Sequence, residues 1–537
     1  MTELRDRKIQ FNQGVKPQRS LMKFPENVGM VVVFCVAAAV ASQAQTFTTL
    51  FTFDGSNGAK PQALIQGTDG NLYGATYSGG KNGEHNSLPG DGTVFGFATD
   101  GALTAFHNFC TQLRCADGLY PSAALLQAPN QIFYGTTQMG GSGANCGSRP
   151  NYGCGTVFKV TPNGTETPIY SFCSQTGCAD GNSPEEPLAL GPNGNLYGVT
   201  FGGGSGGGCG HAVGCGTVFE ITPAGALTTL HSFCATIDSC PDGAAPQAPV
   251  VVGTNGNIYG AANGILNSGG TFFAITPAKK FSALHAFNGA TDGIAPTGLI
   301  QGSDGNFYGT AAFGGSGAHC TSGELCGTIF KVTPQGQFTT LYNFCSQLKC
   351  ADGSGPYSGL IQGSDGNLYG ITIEGGTNYN QAICNGSCGT LFQVTLQGQL
   401  TTLYNFCAQA NCADGWGSGT IMQATNGTFY GTTGLGGSSS GTCAGGGCGT
   451  IFSLSMGLGP FVEANPGFGK IGYKINVLGN NLTGTTSVTF GGVAASFTVV
   501  SDALVEATVP SGAASGTIQV TTPSGALNSN LAFQVVP

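Results

Sequence analysis

The chain has 537 residues, of which 93 are glycine, 8% are charged and 40% are hydrophobic. The glycine load excludes a mostly helical protein, and the hydrophobic share excludes general disorder. A formal charge of −9 opposes phosphate backbones and anionic lipid headgroups, so nucleic acid is not an expected partner.

Residues 1–44 read as a secretory signal peptide. Lys23 precedes an apolar run from Val28 to Val40, and Ser42-Gln43-Ala44 supplies small residues at the cleavage positions. The run falls short of the ~20 apolar residues of a membrane span, so no span is expected after cleavage. Cys35 is a hydrophobe within the discarded segment. Cleavage removes six bases and three acids, leaving 11 and 23, a formal charge of −12.

Residues 45–456 hold seven copies of one motif. Tyrosine-glycine pairs begin at Tyr73, Tyr134, Tyr197, Tyr259, Tyr308, Tyr369 and Tyr430, spaced by 61, 63, 62, 49, 61 and 61 residues. A Gly-Thr-hydrophobic-Phe element follows each pair, ending at Phe95, Phe158, Phe219, Phe273, Phe330, Phe392 and Phe452. Periods of this size, built from short strands and glycine turns, belong to propellers and related arrays.

The sixth copy shows how one repeat becomes four antiparallel strands. Leu360-Ile361-Gln362 is followed by a turn at Asp365-Gly366 and a strand around Leu368-Tyr369-Gly370; Asp-Gly suits a hairpin that demands positive φ. After a glycine-rich loop come Thr390 to Val394 and then Leu400 to Phe406. The turn between these two is often Thr-Pro-x-Gly, as at Thr161 to Gly164, where proline presets φ. The seventh copy ends after Phe452 without a fourth strand, and the missing piece stands at Thr48 to Phe53. The expected fold is therefore all-β, a seven-bladed β-propeller closed by the N-terminal strand, which hides both open edges.

Gly-x-Asp-Gly-x-Leu-Tyr-Gly, Gly-Thr-Val-Phe and Thr-x-Leu-x-x-Phe, recurring in that order over about residues 46–456, resemble the bacterial Gloeo-Verruco (GloVer) repeat family. The resemblance implies an exported, surface-associated propeller and names no reaction. Residues 460–537 lose cysteine and alternate valine-rich strands with glycine turns. Val477 to Leu482, Val488 to Gly492, Val509-Pro510 and Val520 to Gly525 resemble an IPT/TIG domain, an immunoglobulin-like β-sandwich. In exported proteins such domains resemble spacers or adhesive modules.

Apart from Cys35, twenty cysteines form ten close pairs in two recurring loops. One loop carries Cys110/Cys115, Cys173/Cys178, Cys234/Cys240, Cys345/Cys350 and Cys407/Cys412; the other carries Cys146/Cys154, Cys209/Cys215, Cys320/Cys326, Cys384/Cys388 and Cys443/Cys448. The pattern favours local disulfides in an oxidising compartment, with exchange between neighbouring loops left open. Each bridge contributes roughly 2 kcal/mol by loop entropy. The expected location is extracellular, cell-surface or periplasmic.

An aspartate precedes glycine in each loop between copies: Asp54, Asp117, Asp180, Asp242, Asp292, Asp352 and Asp414. A ring of carboxylates suits a cation or a basic partner, yet the same residue type caps its own turn, and the turn role carries more weight. Trp416, the one tryptophan, is either an exposed anchor for a sugar ring or a contact within its repeat. Glu185, Glu186 and Glu374 depart from the repeat, which is where a specific site would show.

His107, His231 and His285 share a position with Phe51, Tyr170, Tyr342 and Tyr404, which favours aromatic packing. His211 and His319 sit beside cysteines, but zinc needs four convergent ligands with free thiolates, so no metal is expected. The glycine runs lack the Gly-Lys-Ser/Thr of a phosphate loop, and no cofactor is expected. The balance favours a non-enzymatic binding or scaffold protein that recognises a glycan or cell-surface protein through rim loops. The alternative is a polysaccharide-degrading hydrolase or lyase using rim carboxylates.

Overall fold

The computed structural model describes residues 45–536 except 82–89, 99–100, 144–152, 207–213, 236–239, 265–268, 321–324, 381–382, 385, 438–442 and 444–445. The proposed signal peptide, Cys146, Cys209 and His211 lie outside the described residues. The chain is all-β. Among the described residues of 46–455, seven antiparallel sheets each follow the four-strand order expected for a copy, with the inner strand split in two in the first and second, and Tyr379–Asn380 pairs with Gly386–Ser387 in a small extra hairpin. The seven sheets are numbered here by their tyrosine-glycine pairs. In the sixth, Ile361–Gln362, Leu368–Thr372, Thr390–Val394 and Leu400–Asn405 pair in chain order.

The seventh sheet is the exception in connectivity. Its outer strand is Thr46–Thr52, which pairs antiparallel with Thr450–Ser455 in the register Phe47↔Leu454 and Thr52↔Thr450. Its other strands come from the far end of the repeats, Trp416–Gln423 and Phe429–Leu435.

The two motif elements recur together for a steric reason. In every copy the glycine of the tyrosine-glycine pair lies under the phenylalanine of the next strand: a Cβ on Gly370 would stand 2.6 Å from the Phe392 ring, and one on Gly431 2.3 Å from Phe452. The buried phenylalanines thus use the space that glycine vacates. Gly370→Ala is expected to cost about 1–3 kcal/mol through overpacking, read as a shift in the urea midpoint.

Adjacent sheets are joined by a side-chain latch at the inner strands. Gln66, Gln127, Gln301, Gln362 and Gln423 accept hydrogen bonds from backbone N–H groups of the preceding sheet, at Thr425, Thr68, Thr254, Ser303 and Ser364, over 2.7–3.0 Å. The Thr425–Gln66 latch ties the seventh sheet to the first. In the third and fourth sheets the position holds Leu190 and Val252, which have no amide.

Residues 463–535 form two four-stranded sheets and a short parallel pair, Phe468–Gly469 with Gln534–Val535. Glu463–Asn465, Lys474–Leu478, Leu504–Thr508 and Phe497–Val499 make one; Val493–Ala494, Ser487–Phe490, Ile518–Thr522 and Gly525–Asn528 make the other. Val477, Phe490, Val505, Val520 and Phe533 lie in the core between them.

Candidate functional site

Most polar side chains that define the repeat are spent on the fold. The threonine of Gly-Thr-hydrophobic-Phe is buried and hydrogen-bonds to a threonine on the adjacent strand in five copies, as in Thr76–Thr93 and Thr372–Thr390 at 2.9 and 2.8 Å. The tyrosine hydroxyl donates to the hairpin aspartate, with Tyr73, Tyr308 and Tyr369 reaching Asp69, Asp304 and Asp365. Where the hairpin carries asparagine, Asn193, Asn255 and Asn426 donate to the tyrosine oxygen instead.

The aspartates between copies behave likewise. Asp352 is fully buried; its Oδ2 accepts from Tyr342 Oη and Ser346 N at 2.8 and 3.0 Å, and its Oδ1 from Gln347 N at 3.1 Å. Asp180 and Asp414 repeat this pattern with Tyr170 and Tyr404. Asp117 accepts from Thr111 and Gln112. In Asp242 and Asp292 a histidine replaces the tyrosine, with His231 and His285 Nε2 at 2.8 and 2.9 Å. Both oxygens of all six carboxylates are therefore engaged within the chain. The six carboxylates expected as a ligand-binding ring, Asp117, Asp180, Asp242, Asp292, Asp352 and Asp414, thus each accept hydrogen bonds within their own loops, the turn role that also accounts for their place in the repeat. Asp54, whose sheet offers Phe51 and no donor, caps its own exposed turn at Ser56 and Asn57.

Trp416 is half-buried in the seventh sheet and packs on a core that includes Phe406 and Ile421. Eight of the expected disulfides join described cysteines: Cys110–Cys115, Cys173–Cys178, Cys234–Cys240, Cys320–Cys326, Cys345–Cys350, Cys384–Cys388, Cys407–Cys412 and Cys443–Cys448. Cys154 and Cys215 are also disulfide-bonded. Sulfurs of the two loop classes converge within 4.8 Å at Cys154, Cys173 and Cys178 and at Cys384, Cys388 and Cys407. These sulfurs are oxidised, so the clusters offer no thiolate to a metal.

What remains is the variation. The residue after the inner-strand proline is Gln62, Ser122, Glu185, Gln247, Thr297 and Tyr357 in the first six sheets, and all six line one cavity of about 340 Å³. Glu186 lines it as well. The cavity lies at the end of the inner strands nearest the disulfide loops: glycines beside those loops pack on the same prolines, as Gly155 does on Pro184 and Gly327 on Pro356.

A chain of contacts holds Glu185. Tyr77 Oη donates to Gln138 Oε1, and Gln138 Nε2 donates to Glu185 Oε1, both at 2.7 Å. Lys60 Nζ stands 5.9 Å from the centre of the Tyr77 ring. Burial pushes the Glu185 carboxyl up, with Gln138 opposing. Burial and the neighbouring Glu185 charge push Glu186 well above the usual carboxylate range. Burial and the Glu374 charge push the Tyr357 phenol up. The site thus pairs carboxyls with amides and an aromatic ring. Glu185 and Glu186 stand out in the sequence, whereas Gln138, Lys60 and Tyr357 do not; the variable position after the proline was the signal that would have found Tyr357.

The Gloeobacter/Verrucomicrobia repeat model matches residues 29–260, 145–384 and 323–466. The chain belongs to that repeat family. The IPT/TIG domain model matches residues 462–535, the two-sheet segment. No curated protein matches the chain significantly. Among solved structures, a streptogramin B lyase is similar at 14% identity and a TM-score of 0.44, covering 77% of this chain and 99% of its own. PorZ, a surface component of the type-IX secretion system of Porphyromonas gingivalis, has 13% identity and a TM-score of 0.41 over 91% of this chain and 60% of its own. The XC5397 gluconolactonase of Xanthomonas campestris has 12% identity and a TM-score of 0.36 over 78% and 92%. At these levels the likeness extends to neither activity nor ligand.

One further departure lies within a repeat of this family. Glu166 occupies the position of Phe281 and Phe338, whose rings stack on His231 and His285 of the preceding sheet with centroids 3.7 and 4.3 Å apart. Glu166 Oε1 and His107 Nε2 are buried with no hydrogen-bond partner among the described residues. Burial, then the Asp117 charge, pushes Glu166 up to about 8; burial pushes His107 down. The unfolded chain therefore releases the Glu166 proton first, and stability drains as pH rises from about 4.5 toward 8. Glu166→Leu is expected to stabilise the protein by about 2 kcal/mol at pH 8 and by much less at pH 5, read from urea midpoints at the two pH values.

Proposed function

We propose that the seven repeat sheets are the blades of a propeller closed by Thr46–Thr52, exported by residues 1–44 to the cell surface or beyond. Its disulfide-bearing face binds a glycan or another surface protein at the axial cavity, and residues 460–537 serve as spacer. The ten-pair cysteine pattern supports an oxidising compartment. The observation that carries the binding site is the clustering of repeat-to-repeat variation: six successive copies place five different residue types after the proline, and all six residues line one cavity. A scaffold that keeps its framework and varies one ring of side chains is arranged for recognition. Carboxyls, amides and Tyr357 suit sugar hydroxyls and ring faces.

The hydrolase or lyase reading draws on the same cavity, since a carboxyl that burial and the Glu185 charge push well above the usual range, Glu186, beside a second carboxyl is the chemistry of a general acid and its partner. Retention on a panel of bacterial and plant polysaccharides tests both readings. The expected result is retention that falls at least about tenfold in Tyr357→Ala and in the Glu185→Gln, Glu186→Gln double variant, with the retained polymer uncut. Cleavage abolished by the double variant would establish the hydrolase or lyase instead. Failure of every polymer to retain the protein removes the glycan and leaves a protein partner.

A further inference from the structure

The opposite end of the inner strands is partly roofed by the C-terminal domain. Phe461 N donates to Thr425 O at 2.9 Å, Asn465 Nδ2 to Gln127 O and Asn476 Nδ2 to Pro129 O, each at 3.1 Å. Beneath the roof lies a cavity of about 500 Å³, between the inner strands of six repeat sheets and the segment from Glu463 to Phe468. Its walls are largely aliphatic, with Ile65, Leu126, Ile300, Ile361 and Met422 from the sheets and Leu531 from the roof.

The polar atoms of this cavity are not equivalent. The five latch glutamines reach it, but their amides already bond across the sheet junctions. Glu463 is the only ionisable side chain among the described residues that line the cavity. No hydrogen bond or ion pair to its carboxyl is present among the described residues. The Glu463 side chain is exposed to open space and lines the cavity, and desolvation by the protein crowded around it pushes its carboxyl up to about 7.

We propose that this cavity binds a compact organic cation, an alkylammonium whose apolar body lies against the aliphatic walls and whose charged head pairs with the Glu463 carboxylate. The volume falls within the range of small-molecule sites, which are mostly apolar with few placed polar groups. A bare divalent cation does not suit it, because one carboxylate is far from the six to eight oxygens calcium takes. An anion would meet a carboxylate with no base among the lining residues, and a neutral sugar would leave the aliphatic walls without a partner. This site lies toward the other end of the inner strands from the variable ring, and Ile361 lines both cavities.

The test is calorimetric titration of the purified protein with hexyltrimethylammonium, and with hexanol as the neutral probe of equal chain length. The cation is expected to bind more tightly than hexanol, and to bind more tightly at pH 8 than at pH 6. Glu463→Gln should weaken the cation by about tenfold or more and abolish its pH dependence, with hexanol unchanged. Leu531→Trp enlarges an exposed side chain and should exclude both probes by filling the cavity, with the thermal midpoint unmoved. Equal affinity of the cation for wild type and Glu463→Gln overturns the proposal, as does absence of cation binding to the wild type at millimolar concentration.

Discussion

A chain that begins at residue 54, lacking Thr46–Thr52, is expected to lose its monomeric native state, giving aggregates or dimers in size exclusion and no cooperative thermal transition. The deleted strand is the outer partner of Thr450–Ser455 in the seventh sheet, so its removal exposes a row of unpaired backbone groups that templates pairing with another chain. It also strips Phe47, whose ring stacks on Tyr404 at 3.8 Å and on Phe452 at 4.9 Å. Burying one such side chain contributes about 1.5–3 kcal/mol, and six backbone pairs are lost with it. A synthetic peptide of residues 45–53 added in trans should restore the transition, since the slot it fills is formed by the rest of the chain. A truncated chain that melts like the intact one would mean that the strand is an accessory and that the seventh sheet stands on three strands.

Asp352→Ala is the single substitution expected to cost most, about 3–5 kcal/mol, because it leaves three donors without their acceptor in a buried loop. Tyr342 Oη, Ser346 N and Gln347 N all lose their partner. The alanine variant should show a large drop in the urea midpoint with little change in slope. Asp352→Asn, which keeps one acceptor oxygen, should recover part of the loss. An alanine variant within about 0.5 kcal/mol of wild type would return the carboxylate to the pool of groups free for binding.

How far the chain could be read in advance follows from the length scale of each feature. Strand order and hairpins depend on neighbours within one period of about 60 residues, and the Tyr369-Gly370 and Gly-Thr-Leu-Phe elements mark them directly; the borrowed strand pairs across nearly the whole array and is legible only because the last copy lacks the piece that Thr48 to Phe53 supplies. The reason those elements travel together, a phenylalanine ring lying on a glycine, appears only when the strands are paired. Gln362 stood in plain view at the end of Leu360-Ile361-Gln362, but its partner, Ser303, is 59 residues away. Glu166 was legible as an acid in a column of Leu and Phe. The cavity around Glu185 was not, because Gln62, Ser122 and Tyr357 meet only when successive inner strands gather. Glu463 lies deeper still, since nothing in the C-terminal segment tells which part of the repeats it faces.

The C-terminal domain's attachment has a mechanical meaning. The chain leaves the repeats from the seventh sheet at Ser455, passes Gly70 of the first sheet, which packs closely on Ala503, and is tied to backbone oxygens of the second sheet at Gln127 and Pro129. The domain therefore touches the seventh, first and second sheets. Tension applied to the C-terminal domain reaches three sheets at once and not the last one alone.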